Sequence, residues 1–169
     1  GIPQRATNSI LFSFACWIRS NGGTLTANVD RRIFQWENTA GFKGFRFSIR
    51  PTTTTLSQLK VELGTGTAFV AKLTTSNALF NTIRADTVNF HHLVMTYNAN
   101  YPGGNGASRI CIYLDGTKVF TVGFSEEAVW DAATQALGVR LCSNSGSGTP
   151  VAFNCDMDDV TFWTEELTA

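Results

Sequence analysis

Apolar and polar residues alternate along most of this chain, in short segments that are separated by clusters of Gly, Asn, Pro and Thr. A period of two places successive side chains on opposite faces of a strand, so these segments predict half-buried β-strands. Many short strands closed by turn residues are typical of an all-β fold with two antiparallel sheets, a β-sandwich. Ten strands are predicted, at residues 11–19, 32–37, 44–50, 58–63, 68–73, 90–98, 109–114, 117–123, 137–142 and 157–163.

The connections between these segments carry their own signals. Asp115-Gly116 tolerates the positive φ of a two-residue turn, which predicts a tight hairpin between the strands at 109–114 and 117–123. A single short helix is predicted at 126–136, where Ser125 can cap the amino end and two glutamates follow it. We therefore expect at most one short helix.

Composition narrows the classes of partner. Thirteen basic residues balance thirteen acidic ones, so no excess charge favours nucleic acid. No apolar run of about 18 residues is present, so membrane insertion is not expected. With 169 residues the chain suits a single domain spanning 1–169, and its start at Gly1 rather than Met suggests a processed protein or part of a larger one.

The cysteines do not have the CxxC spacing of a metal site. Cys16 lies at an apolar position of the strand at 11–19 and is expected to be a buried free thiol. Two others flank the Gly- and Ser-rich segment 143–150 and can form a disulfide if neighbouring strands bring them together; unpaired thiols are the alternative. The four are Cys16, Cys111, Cys142 and Cys155.

Four segments, in order, resemble the laminin-G-like jelly rolls of the concanavalin A-like lectin and glucanase superfamily. They are FSFACWIR at 12–19, FHHLVMTYN at 90–98, IYLDG at 112–116 and MDDVTFWTEELT at 157–168. The resemblance covers most of the chain and implies a jelly-roll sandwich. Members of that superfamily include lectins, adhesion modules, glycoside hydrolases and virion proteins, so the function must come from a specific face or rim.

Catalysis is not expected. The retaining hydrolases of the superfamily carry a Glu-x-Asp-x-(x)-Glu run, and this chain has none. The only histidines, His91 and His92, are adjacent on a strand and face opposite ways, so a shared metal or nucleophile site is not expected. The resemblance implies that His92 is a hydrogen-bonded strand residue.

An acidic trio near the carboxyl end has two interpretations. Asp156, Asp158 and Asp159 are favoured as structural carboxylates, with Ca²⁺ binding as the alternative. In a regular strand Asp158 and Asp159 point to opposite faces. We expect that no cofactor is required, although Ca²⁺ stays open.

Ligand contacts are predicted where aromatic and basic side chains are left over once the apolar positions have filled the core. Trp17 and Tyr113 have the opposite parity to the apolar residues of their strands, as do Arg46, Arg50 and Arg140. If these strands share one sheet, they form a mixed aromatic and basic face; the alternative is a tryptophan packed under a loop and a set of solvated arginines. Tyr101, in the Gly-rich segment 98–106, is a further candidate. The candidate ligand-binding residues are Trp17, Arg46, Tyr101 and Tyr113.

The sequence thus predicts a non-catalytic recognition module that binds glycan or a partner protein, on a secreted protein or a virion surface. The alternative is a structural virion or fibre protein that self-associates and takes no small ligand. A glycoside hydrolase is the third and least favoured interpretation.

Overall fold

The chain folds as two compact units that interleave along the sequence, each built on one β-sheet. The first comprises residues 1–18, 90–128 and 157–169, and the second comprises 19–89 and 129–156. The structure is a computed structural model and describes residues 11–23, 26–38, 40, 42–99, 108–125, 128, 138–142, 151–163, 165 and 167.

Each of the ten predicted strands overlaps a strand of the structure. Two elements were not predicted, the two-residue strand β10 and the helix α1. The elements are β1 (Leu11–Ser20), β2 (Arg31–Asn38), β3 (Lys43–Pro51), β4 (Ser57–Thr65), β5 (Phe69–Leu73), α1 (Ala78–Ala85), β6 (His91–Asn98), β7 (Ser108–Leu114), β8 (Thr117–Phe124), β9 (Arg140–Leu141), β10 (Val151–Ala152) and β11 (Cys155–Trp163).

The sheet of the first unit has five strands in the order β11-β1-β6-β7-β8. Antiparallel register aligns Phe12 with Tyr97, and Tyr97 with Ile110, so that apolar residues form continuous rows across the sheet. These side chains are fully buried. Ala128 caps one row, because its N–H donates to Tyr97 Oη at 3.0 Å.

The sheet of the second unit has six strands, with β10-β2-β3-β4-β5 in order and β9 also paired with β2. It is antiparallel apart from the short β10·β2 pairing, which is parallel. Its apolar rows contain Phe34, Phe47 and Val61, aligned by register and fully buried. Both sheets therefore show the predicted alternation, and each sheet has one apolar face.

The predicted hairpin is confirmed. Asp115 and Gly116 adopt φ values of 49° and 77°, and the register pairs Leu114 with Thr117 on either side of them. Asp and Gly are among the residues for which the left-handed region is least costly, which is why this dipeptide indicated the turn.

The helix of the structure lies where none was predicted. Asn77 caps α1 by accepting a hydrogen bond from Leu79 N–H at 2.8 Å, and only Phe80 and Ile83 are buried. Eight residues with two apolar contacts give little periodic signal, and so short a helix is not stable without tertiary packing. Apart from Ala128, the predicted helix at 126–136 lies outside the described residues.

The cysteines follow the pattern proposed from the sequence. Cys142 and Cys155 are joined in a disulfide, which links the residue after β9 to the first residue of β11. Cys16 and Cys111 are free and buried, and burial raises the pKa of the Cys16 thiol to about 12. Among the described residues no helix is long and apolar enough to cross a membrane.

Candidate functional site

The five-stranded sheet carries a mixed aromatic and hydroxyl surface on the face opposite its apolar rows. We call this surface the Trp17 face. Alternation and register place on it Ser13, Ala15, Trp17, His92, Val94, Thr96, Arg109, Cys111, Tyr113, Lys118 and Thr121. Its charged residues lie on β7 and β8, so recognition around Trp17 on β1 depends mainly on stacking and on neutral hydrogen-bonding groups.

Trp17 is the exposed aromatic of this face. Its side chain is 40% exposed, although β1 lies between two other strands. The register sets it opposite His92, and the two rings lie 4.9 Å apart between centroids. This contact holds one side of the indole and leaves part of the ring accessible, so a ligand would meet an already oriented ring.

The other end of β1 is covered on the same face. Ser13 is fully buried, and its hydroxyl donates to the carbonyl of Glu165 at 2.8 Å while accepting from Leu167 N–H at 2.9 Å. The segment after β11 therefore crosses this face at Ser13. Because the cover lies at Ser13, the accessible part of the face is the part around Trp17.

The carboxylate of Asp115 stabilises the end of the Trp17 face at which His92 lies. One oxygen of Asp115 hydrogen-bonds His91 Nδ1 at 2.9 Å, and the other accepts the backbone N–H of His92 at 2.8 Å. The hairpin turn thus fixes the start of β6. The histidine ring that this carboxylate binds is that of His91, whereas the ring of His92 packs against Trp17.

Tyr113 lies on the same face as Trp17, as the parity argument predicted. Its register partner is Val94, one pleat away from His92 and two strands away from β1. Strand spacing places the Cα atoms of Trp17 and Tyr113 about 12 Å apart. The structure thus brings two of the four predicted contact residues onto one surface.

The predicted basic part of the surface belongs to the other sheet. Arg46, Arg50 and Arg140 lie on β3 and β9 of the six-stranded sheet, so the expectation that their strands share one sheet with Trp17 is wrong. Parity assigns a face within a strand but carries no information about which strands pair. Tyr101 lies outside the described residues.

Arg46 has the predicted parity, but its guanidinium is already engaged. It pairs with Glu37, contacts Glu62 with 3.7 Å between Nη1 and Oε1, and places Cζ 3.5 Å from the centre of the Phe69 ring. The surface around it, which we call the Arg46 face, holds the non-apolar positions of β2, β3 and β4. A side chain with these partners is a poor first contact for a ligand.

Glu62 is the centre of the Arg46 face. Its carboxylate accepts from Arg32 Nη1 at 2.7 Å and lies 3.2 Å from Lys60 Nζ. Burial by itself raises the pKa of Glu62, but the charge and hydrogen bond of Arg32, with the charges of Lys60 and Arg46, outweigh it and lower that pKa. The arrangement is a buried ion cluster that holds an ionised carboxylate in place.

The acidic trio does not converge. Asp156 pairs with Arg19 at 2.7 Å and accepts from Asn21 at 2.9 Å, and these hydrogen bonds lower its pKa. Asp159 has a φ of 47°, so β11 is not regular there. Within the described ranges no three His, Cys, Asp or Glu side chains are grouped to hold a metal ion. Asp156 has the structural role that the sequence favoured.

Sequence reasoning missed the partners of Trp17. His92 was treated as a strand histidine and Asp115 only as a turn residue, because their proximity to β1 depends on the β1·β6 register. One signal was available in the sequence. Trp17 lies near the end of the predicted strand 11–19, and His92 lies at a comparable distance from the start of the predicted strand 90–98. These positions are compatible with Trp17 facing His92 in an antiparallel pair.

The profile of the Laminin_G_3 family, of the concanavalin A-like lectin/glucanases superfamily, matches residues 2–169. The chain belongs to this family. Among solved structures it is similar to the native heptameric SAP-like pentraxin from Limulus polyphemus, with 12% identity, a TM-score of 0.58, and coverage of 95% of this chain and 67% of that chain. This similarity supports the predicted jelly-roll β-sandwich. No curated protein matches the sequence.

Proposed function

We propose that this chain is a non-catalytic recognition module that binds glycan or a partner protein through the Trp17 face. The observation that carries the proposal is the exposed indole of Trp17, held against His92 in the interior of a sheet. An aromatic ring with one fixed side and one open side suits the apolar face of a sugar ring or an apolar side chain.

Polar groups around the indole support recognition of hydroxyl-bearing ligands. The imidazole of His92 and the phenol of Tyr113 lie on the same face, and Lys118 is the register partner of Tyr113. Their spread of about 12 Å suits an oligosaccharide or a peptide segment more than a single small molecule.

Two features of the glutamates support a non-catalytic function. A glycosidase needs one carboxyl group with a raised pKa as general acid, about 5 to 10 Å from a second carboxylate. Glu62 has its pKa lowered instead, and both Glu62 and Glu37 are paired with arginines. The proposed recognition also needs no metal or other cofactor.

The disulfide supports a setting outside the reducing cytosol. Disulfides such as Cys142–Cys155 form and persist in oxidising compartments and on virion surfaces. We therefore place the module on a secreted protein or a virion surface.

The test is a glycan-array screen, followed by affinity measurement on the best ligand for Trp17→Ala. Loss of the stacking contact should weaken binding about tenfold or more, equivalent to about 1.4 kcal/mol or more. Phe42→Ala is the matched control, since Phe42 is 44% exposed but lies in the second unit.

The proposal would be contradicted if Trp17→Ala bound the ligand as tightly as the unchanged protein and Phe42→Ala lost binding. That result would place the ligand on the second unit. Turnover of a glycan by the purified protein, abolished by changing Glu37 or Glu62, would contradict its non-catalytic part.

A structural role in a particle or fibre is the second candidate function. It is favoured by one observation, the edge of strand β8, which carries no charged residue from Phe120 to Phe124. Light scattering of the same samples measures particle mass, and assemblies larger than a dimer would support the structural role.

A further inference from the structure

Strand β8 forms an edge of the five-stranded sheet, and among the described residues only β7 pairs with it. Phe120 and Val122 continue the apolar rows of Ile112 and Ile110, which are fully buried. The two residues on β8 are themselves only half-buried. The apolar rows therefore extend to the edge of the sheet and are still partly accessible there.

The other edge strands of the two sheets carry features that discourage pairing. On β5, Lys72 is the register partner of the core residue Val61, so a charge stands at an apolar position. On β11, Asp158 and Asp159 are exposed, and the left-handed φ of Asp159 interrupts the strand. Inward charges and irregularities of this kind protect edges against added strands.

Strand β8 has a lysine and a β-bulge at its start, between Lys118 and Phe120, and neither protection beyond them. From Phe120 to Phe124 it contains no charged residue and no proline. Aromatic and β-branched residues dominate this stretch, and both types favour strand pairing. An unprotected edge of this length is a template for another strand.

We propose that the outer edge of β8 pairs with the β8 edge of a second copy of this chain, antiparallel and centred on Thr121. In this register Phe120 lies opposite Val122 of the second copy, and the reverse holds by symmetry. Aromatic and β-branched residues form favourable cross-strand pairs. The apolar rows of the two sheets would then join into one.

A second copy fits this edge better than a foreign strand does, for two reasons. Beyond the bulge, from Phe120 to Phe124, the edge has no charge that would select a different partner. Self-pairing is isologous, so the assembly closes as a dimer and leaves no β8 edge open. The inference does not depend on whether the Trp17 face binds a ligand.

The test is sedimentation velocity of the full chain from about 1 μM to about 1 mM, a range that suits a small interface. The unchanged protein should shift from monomer to dimer with concentration. Thr121→Lys and Thr121→Glu each set like charges opposite one another at the two-fold axis and should weaken the dimer at least tenfold. Thr121 is exposed, so both variants should keep the circular dichroism spectrum of the unchanged protein.

An equal mixture of the two variants is the decisive sample, because Lys and Glu then face each other across the axis. Recovery of the dimer only in the mixture supports the proposal. A monomer at every concentration of the unchanged protein overturns it, as does a dimer that either single variant leaves intact. Ligand binding by the unchanged protein, measured below and above the concentration at which the dimer forms, distinguishes this inference from the proposed function, since the two should not depend on each other.

Discussion

The non-apolar faces of the two sheets are built from the same alternation and have opposite chemistry. The Trp17 face contains aromatic rings, hydroxyls and small residues, with Trp17 exposed beside His92. On the Arg46 face, charged side chains satisfy one another around Glu62. Charges that are already paired and buried contribute to the fold, whereas an exposed aromatic without such partners is available to a ligand.

The comparison also explains why arginines at the non-apolar positions of a strand are weak evidence for a binding site. Arg46 and Trp17 were equally good candidates from the sequence, because each stands opposite the apolar set of its strand. Glu62 is the register partner of Arg46, and Glu37 lies diagonally from it, beside Gly44, so the arginine is neutralised within its own sheet. At the Trp17 end of the other sheet the described carboxylates bind other groups: Asp156 pairs with Arg19, and Asp115 binds His91 and a backbone N–H.

The largest expected effect is on the Arg46 face. Glu62→Ala leaves Arg32 buried without its carboxylate and should lower the free energy of unfolding by about 3 to 5 kcal/mol. Urea unfolding followed by circular dichroism measures it. Glu165→Ala is the control, since the exposed Glu165 makes its hydrogen bond through the backbone carbonyl. Equal stability of the two variants would show that the cluster does not stabilise the sheet.

Removing the disulfide should cost slightly less. Cys142 and Cys155 are 13 residues apart, and closing a loop of this size stabilises a protein by about 3 kcal/mol. The double change Cys142→Ser and Cys155→Ser should lower unfolding free energy by that amount in the same assay. Dithiothreitol should destabilise the unchanged protein and have no effect on the double variant; an effect on both would mean that another thiol is involved.

The stability that the Arg46 face contributes should also depend on pH. The pKa of Glu62 is lowered in the folded chain, so its contribution is complete above the ordinary glutamate value of about 4.3 and is lost as the pH falls from there through the lowered pKa. Thermal midpoints of the unchanged protein and Glu62→Gln should therefore converge on acidification. A difference that stays constant down to pH 2 would contradict an ionised Glu62.

The smallest stability change is expected at the Trp17 face. Trp17→Ala removes a ring that is 40% exposed and whose described ring contact is His92, and should lower the free energy of unfolding by about 1 to 2 kcal/mol. The same urea series measures it. A loss as large as that of Glu62→Ala would mean that the indole is a structural residue, and the contrast between the two faces would fail.

Much of the architecture was predictable, because each strand buries one parity of side chains and shows it as alternation. Phe12, Phe14 and Cys16 were assigned to the core from spacing alone and are fully buried. The Asp115-Gly116 turn was predictable because its backbone conformation limits the residues that adopt it. Helix α1 was missed since its two buried side chains become significant only against strand β4.

The candidate site was predictable only in part. Parity identified Trp17 and Tyr113 and assigned both correctly to non-apolar positions. It could not show that Arg46 belongs to another sheet, nor that Ser13 is covered by the segment after β11. Alternation depends on residues that are neighbours along the chain, whereas these two facts depend on residues that are far apart in the sequence.

By itself, therefore, the sequence determined the strands, their buried faces and the β7–β8 hairpin, which depend on residues a few positions apart, and the family resemblance, which depends on the order of four short segments. The tertiary structure alone decided which strands share a sheet, that Glu62 neutralises Arg46, and that His92 packs against Trp17. The physical reason is that strand order and register are set by long-range pairing, and a single alternating segment is compatible with many partners.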